Sequence, residues 1–259
     1  MSKSRLYILP AIFVSCLVCG CAINPITGRS ELNLFTVSDD ITLGQKYAPE
    51  VEKQLGGAIP NQELQNYINS VGQRVAAVAH TPQFTYRFVA VNDKMMNAFA
   101  LPGGHIFITR GLLAKLTTEA QLAAVLAHEV AHVAARHSTH QMSRQIGLEI
   151  LLGAASRGGA GEGAMTVASL AGQLITLRYS RGQEKEADIG GIDLMIAAGY
   201  SPWGMAETMK MIEAHSAGSV EWLSRHPSPG NRVGYITETI QSRHLPMNLI
   251  VNAEAYKRH

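Results

Sequence analysis

Cysteine is scarce: the 259-residue chain has three, and Cys16, Cys19 and Cys21 all fall within its first 21 residues. The body of the chain therefore has no internal disulfide. Net charge is also small, at +2, so composition gives no argument for nucleic acid or an anionic surface as partner. No internal repeat marks a solenoid or a helical-repeat tail. Beyond the N-terminus, no unbroken apolar run reaches the ~20 residues of a bilayer-spanning helix. What remains is an ordinary globular composition, 46% hydrophobic and 16% charged. It is long enough for one domain with a substantial core.

The first 20 residues read as a bacterial lipoprotein signal peptide. Lys3 and Arg5 form a positive n-region, and Leu6 to Val18 form an apolar h-region too short to span a bilayer. Val18-Cys19-Gly20-Cys21 has the form of a lipobox, with Cys21 as the lipidated residue. Two departures are Cys19 before Gly20 and Val18 where Leu is usual. An ordinary secretory signal or a short membrane anchor is the other reading. The expected organisation is residues 1–20 as signal peptide, 21–37 as an extended lipidated tether, and 38–259 as a single domain.

The chain's chemistry concentrates at His128-Glu129-Val130-Ala131-His132. Residues four apart on a helix lie about 40° apart around its axis, so both imidazoles leave one face and can grip one zinc ion. Glu129 projects about 100° from His128, beside a metal rather than on it. From there it can carry a proton from an attacking water to a leaving amine. The surrounding helix, with Leu122, Val125, Leu126, Val130 and Val133, is apolar nearly all round and should be buried. Burying two imidazoles and a carboxylate without partners costs several kcal/mol. A core helix with backbone-bonded histidines is the bland alternative.

A third ligand is expected from Glu184-Lys185-Glu186-Ala187-Asp188. Glu184 and Asp188 share a helix face, while Glu186 lies about 200° from Glu184. Glu184 is then the ligand, and Asp188 orients a zinc imidazole by accepting its free N–H. Two His, one Glu and an open fourth position make a catalytic set with one Zn2+ per chain. His137 and His140 lack a matching carboxylate pattern and read as solvated, and the other histidines carry no spacing signal.

Helices are expected from a Ser38-Asp39-Asp40 cap to Leu55, from Asn61 to Ala79, from Gly111 to Leu116, over 166–177 and 181–198, and from Pro202 to His215. Phe84 to Val91 and His105 to Thr109 read as strands. Thr118 and Gln121 should form a capping box on the metal helix. Five glycines in 153–163 break any rigid helix there, leaving either a surface connection or a mobile flap.

Four motifs, in order, carry a family resemblance: Asn97-Ala98-Phe99-Ala100-Leu101-Pro102-Gly103-Gly104; His128-Glu129-x-x-His132; Arg181-x-x-Glu184-x-Glu186-Ala187-Asp188; and Arg225-His226-Pro227-Ser228-Pro229. The chain resembles the gluzincin metallopeptidases that include HtpX and the CAAX prenyl endopeptidases. Cys21-Ala22-x-Asn24-Pro25-x-Thr27-Gly28-Arg29 resembles the mature start of their periplasmic lipoprotein members. The resemblance implies an α+β, mainly α, zincin-like domain with a small sheet and a central metal-binding helix. It implies a metalloendopeptidase that cuts misfolded or unassembled envelope proteins, lipid-anchored at the periplasmic face of the outer membrane. Asn97, Ala98, Phe99 and Ala100 would pair with substrate backbone. An ordinary hairpin there is the alternative. His226 would face the zinc, either stabilising the oxyanion or filling the fourth position and keeping the enzyme latent. Arg181 and Arg232 are candidates for supporting the site, or plain surface arginines. A chaperone-like binder with structural zinc and a zinc hydrolase of cell-wall peptides are the rival functions.

Overall fold

The structure is a computed structural model describing residues 21–79, 81–155, 167–215, 221–227 and 230–258. Residues 1–20, expected to be a signal peptide, and most of the glycine-rich segment lie outside them. The chain opens with a hairpin of β1 (Cys21–Ile23) and β2 (Ser30–Leu32). Helices α1 (Val37–Gln54) and α2 (Gln62–Ala76) follow. Next come β3 (Arg87–Val91), β4 (Ala98–Ala100), a 3-10 turn (Pro102–Gly104), β5 (His105–Thr109) and α3 (Arg110–Leu113). The rest is helical: α4 (Glu119–Ala134), α5 (His137–Ala155), α6 (Val167–Thr176), α7 (Arg181–Ala197), α8 (Trp203–His215), α9 (Glu221–Arg225), α10 (Arg232–Gln241) and α11 (Ala253–Tyr256). The class is α+β, mainly α, as expected. Among the described residues no helix is long and apolar enough to cross a membrane.

The three-stranded sheet has the order β3-β5-β4, with β3 parallel and β4 antiparallel to β5. Ile106 and Ile108 of β5 enter the larger core cluster, whereas Phe107 enters a second one with Tyr47, Val51 and Leu174. The continuous apolar run Ile106-Phe107-Ile108 thus reflects a strand buried on both faces.

Helix α4 is the axis of the larger core. Every residue from Glu119 to Ala134 is buried, as its all-round apolar character requires. Helix α7 packs closest to it. A Cβ on Gly191 would lie only 3.3 Å from the backbone N of His128 and 3.4 Å from the carbonyl carbon of Ala127. The missing side chain lets the two motif-bearing helices approach at the first motif histidine.

Some boundaries differ from expectation. Thr36, not Ser38, caps α1: its side chain accepts from Asp39 N–H, and Asp39 accepts from Thr36 N–H. Thr36-x-x-Asp39 supplies both halves of a capping box, so the helix starts earlier. Thr118 caps α4 by accepting from Gln121 N–H at 3.2 Å. Gln121 Oε1, however, accepts from Thr117 N–H at 2.7 Å, so only half of the expected box forms. Helix α5 continues through Gly153 to Ala155. The segment read as an extended tether is a docked hairpin: Asn33 donates to Thr139 Oγ1 at 3.1 Å and Leu34 N–H to Ser143 Oγ at 2.9 Å. Side-chain acceptors on α5 took backbone and amide groups that a free tether would have left to water.

Candidate metal centre

The 40° offset of His128 and His132 on α4 brings their Nε2 atoms to 3.0 Å. The third group arrives on α7. Ser180 caps that helix, accepting from Gln183 N–H while Gln183 Oε1 accepts from Ser180 N–H. The box sets the first turn so that Glu184 faces α4. Glu184 Oε1 lies 3.3 Å from His132 Nε2. The fourth group is His226, just past α9, with Nδ1 at 2.9 Å from Glu184 Oε1 and 3.2 Å from His128 Nε2. One ligand atom from each of these four residues lies within 4.8 Å of all the others. Tetrahedral zinc with nitrogen ligands at 2.0–2.1 Å has ligand–ligand edges of roughly 3.3 Å, so the cluster has the size zinc needs.

Electrostatics support a cation at this place. All four side chains are at most 1% exposed. Burial opposes a charge on His128, yet Asp188 and Glu184 hold its pKa up to about 9. Burial drives His132 well below the ordinary imidazole range. Burial alone would raise Glu184, but His226, His128 and His132 outweigh it and hold the carboxyl well below its usual range. A divalent cation would supply the positive charge that this arrangement otherwise draws from a protonated His128. Glu129 is fully buried beside the cluster, Oε1 3.7 Å from His226 Nε2, and among the described residues neither of its oxygens has a hydrogen-bond partner. An unpartnered buried carboxylate is costly. The residues present therefore fit zinc, with Glu129 next to it and outside the donor set.

Two of these groups are held from behind. His128 Nδ1 lies 3.0 Å from Asp188 Oδ1, an ion-pair contact. Arg232 grips Asp188 with Nε and Nη2 at 2.8 and 2.7 Å and reaches Glu184 Oε2 at 3.1 Å. Tyr235 hydroxyl donates to Asp188 as well. Arg232 is only 1% exposed, so it is not a plain surface arginine. Replacing Arg232 with Met should cost about 3–5 kcal/mol by leaving two carboxylates short of a cation in the interior. A thermal or urea melt within ~1 kcal/mol of the parent would refute this.

Two expectations need correction. Arg181 stands exposed at the first turn of α7, and among the described residues no hydrogen bond or ion pair links it to the site. Its place at the start of the helix, before Glu184, leaves it out towards solvent. His137 is not solvated. It is 1% exposed, and its Nδ1 lies 2.8 Å from His132 Nδ1. Helical periodicity could not reveal this, since residues five apart sit about 140° apart. The chain instead breaks at Arg136, which takes a left-handed φ of 54°. That turn is held by Arg136 pairing with Asp40 and donating to Phe35 C=O at 2.6 Å. Two ring contacts were also unread. Tyr179 stacks on His132 at 4.0 Å, and Trp222 on His226 at 4.2 Å. Trp222 lies four residues before His226, a spacing that could have flagged it.

Strand β4 is the sheet edge nearest the motif helix, and Asn97, Ala98, Phe99 and Ala100 are all buried. Thr109 N–H donates to Asn97 C=O, and Leu101 N–H to His105 C=O. By antiparallel alternation, the backbone groups of Ala98 and Ala100 therefore face away from β5. Helix α9 contacts the start and one side chain of this strand: Trp222 N–H donates to Met96 C=O at 3.1 Å, and the Arg225 guanidinium lies 4.7 Å from the Phe99 ring centre. The segment that delivers His226 thus also touches the strand.

Known metallopeptidases are similar to this chain. The chain is 31% identical over 229 residues to the mitochondrial metalloendopeptidase OMA1 of Schizosaccharomyces pombe, covering 83% of this chain and 65% of that protein. It is 29% identical over 225 residues to the beta-barrel assembly-enhancing protease of Escherichia coli K12, covering 81% and 45%. It is 24% identical over 222 residues to the metalloprotease LoiP of the same organism, covering 83% and 87%. The chain thus spans about two thirds or less of the first two relatives. The profile of Peptidase family M48 matches residues 62–240, a range that contains all four donors and Glu129. The chain belongs to peptidase family M48.

Proposed function

We propose that this chain is a zinc-dependent endopeptidase acting on unfolded or unassembled proteins of the cell envelope. The observation that carries the reading is the convergence of His128, His132, Glu184 and His226 beside an unpartnered Glu129. His128, His132 and Glu184 hold the zinc, and Asp188 and Arg232 position His128 and Glu184. Bound zinc supplies Lewis acidity that polarises the scissile carbonyl and acidifies water. Glu129 accepts the proton of the attacking water and returns it to the leaving amine. A structural zinc site has no use for such a base, which weighs against the chaperone-like reading. No specific observation favours cell-wall peptides.

His226 sits as a fourth donor in the closed arrangement, and α9 bonds to Met96 just before β4. This supports a latent conformation in which His226 closes the metal site. With His226 displaced, Ala98 and Ala100 would pair with an extended peptide backbone. Such pairing reads little sequence and demands an unfolded substrate. The names of the bacterial relatives, a beta-barrel assembly-enhancing protease and LoiP, support an envelope setting. Cys21, lipidated after removal of residues 1–20, would anchor the enzyme at the periplasmic face of the outer membrane.

Elemental analysis is the direct test. The purified protein should carry one zinc per chain, and Glu184→Ala should lose most of it. Stoichiometric zinc retained by that variant would remove Glu184 from the ligand set.

A further inference from the structure

We infer that the N-terminal hairpin β1–β2 is an outer support of the metal centre, with Asn24 as a positioning residue for His132. The inference rests on the reading of His132 as a zinc ligand.

A polar chain runs from that imidazole to the hairpin. With Nε2 given to the metal, His132 carries its proton on Nδ1 and donates to His137 Nδ1 at 2.8 Å. His137 must then carry its own proton on Nε2, which lies 3.3 Å from Glu186 Oε1, within charge-pairing distance but not aligned as a hydrogen bond. The same oxygen accepts from Asn24 Nδ2 at 2.5 Å. Asn24 is itself 4% exposed and fully committed. Its Oδ1 accepts from Ile26 and Thr27 N–H at 2.9 and 3.3 Å, and its amide also reaches Glu31 at 3.3 Å. The hairpin turn therefore holds the amide, the amide holds Glu186, and the charge of Glu186 beside Nε2 favours the His137 tautomer that can accept from His132. Metal ligands whose free N–H lacks a fixed acceptor lose orientation and basicity.

A second contact points the same way without using the polar chain. Ile26 occupies the notch at Gly190, where a Cβ would come within 2.8 Å of Ile26 Cδ1 and 3.5 Å of Ala131 Cβ. Gly190 lies on the Glu184 helix and Ala131 within the His128–His132 motif. The hairpin is thus wedged where the two ligand-bearing helices meet. Its exit is tied to α5, the helix that starts at His137, through Asn33–Thr139 and Leu34–Ser143. Because Cys21 opens β1, the point of attachment lies three residues from Asn24.

The test compares the full-length parent, Asn24→Asp and Ile26→Ala. Asn24→Asp keeps the turn-forming oxygen but sets a carboxylate against Glu186. Ile26→Ala empties the notch at Gly190 and leaves the polar chain in place. Zinc affinity is read by chelator competition, and ligand geometry by the visible spectrum of the Co2+-loaded protein. Asn24→Asp should weaken zinc binding by ~10–100-fold and alter the Co2+ bands. Ile26→Ala should move both in the same direction. If Asn24→Asp does not fold, Ile26→Ala decides alone. Unchanged affinity and spectrum in the folded variant would overturn the inference alone. A parent that binds no zinc or Co2+ would overturn the metal reading as well.

Discussion

Replacing Glu129 with Gln should cut hydrolysis of unfolded casein by ~10²–10⁴-fold, the usual contribution of a positioned general acid–base. The isosteric amide cannot accept the proton of the attacking water at neutral pH. Glu129 is not among the four converging donors, so zinc content should stay at one per chain. Folding should hold too, because the carboxylate makes no hydrogen bond that Gln would break. Loss of activity together with loss of metal would instead make Glu129 a ligand. Equal cleavage by parent and variant would dismiss the proposed chemistry.

His226→Ala should act in the opposite direction and raise casein turnover by about tenfold or more. His226 Nδ1 touches Glu184 and His128 in the closed site, and its ring is stacked on Trp222. Each ~1.4 kcal/mol of closed-state stabilisation removed multiplies the open population tenfold until opening is complete. Three ligands remain, so zinc should be retained, though held less tightly. If His226 served the oxyanion in the conformation that turns over, the same substitution would lower kcat by ~10²–10³. The sign of the change therefore decides between latency and transition-state support. Adding Glu129→Gln to His226→Ala should abolish the gain, which excludes a contaminating protease.

The two motifs were legible because both use local helical geometry. His128 and His132 share a face of α4, and Glu184 and Asp188 share a face of α7, whatever surrounds them. The buried status of α4 was equally legible from its apolar circumference. Arg181 misled because it stands in a helix with Glu184, yet at that helix's exposed end. His137 was misread for the converse reason: its contact with His132 depends on the left-handed turn at Arg136, which a distant Asp40 and Phe35 hold in place. The hairpin was misread because its partners, Glu186, Thr139 and Ser143, lie more than a hundred residues further on.

The amino-acid sequence by itself determined the ligand types, their spacing and the helices that present them, because a period of 3.6 residues is set within one turn of chain. Only the tertiary structure decided which imidazole nitrogens meet, what stands behind them and which segment brings His226 to them. Those outcomes depend on close approach between distant segments, permitted by glycines 190 and 191 and held by buried polar pairs. Such contacts form only after the core has brought α4, α7, α9 and the hairpin together.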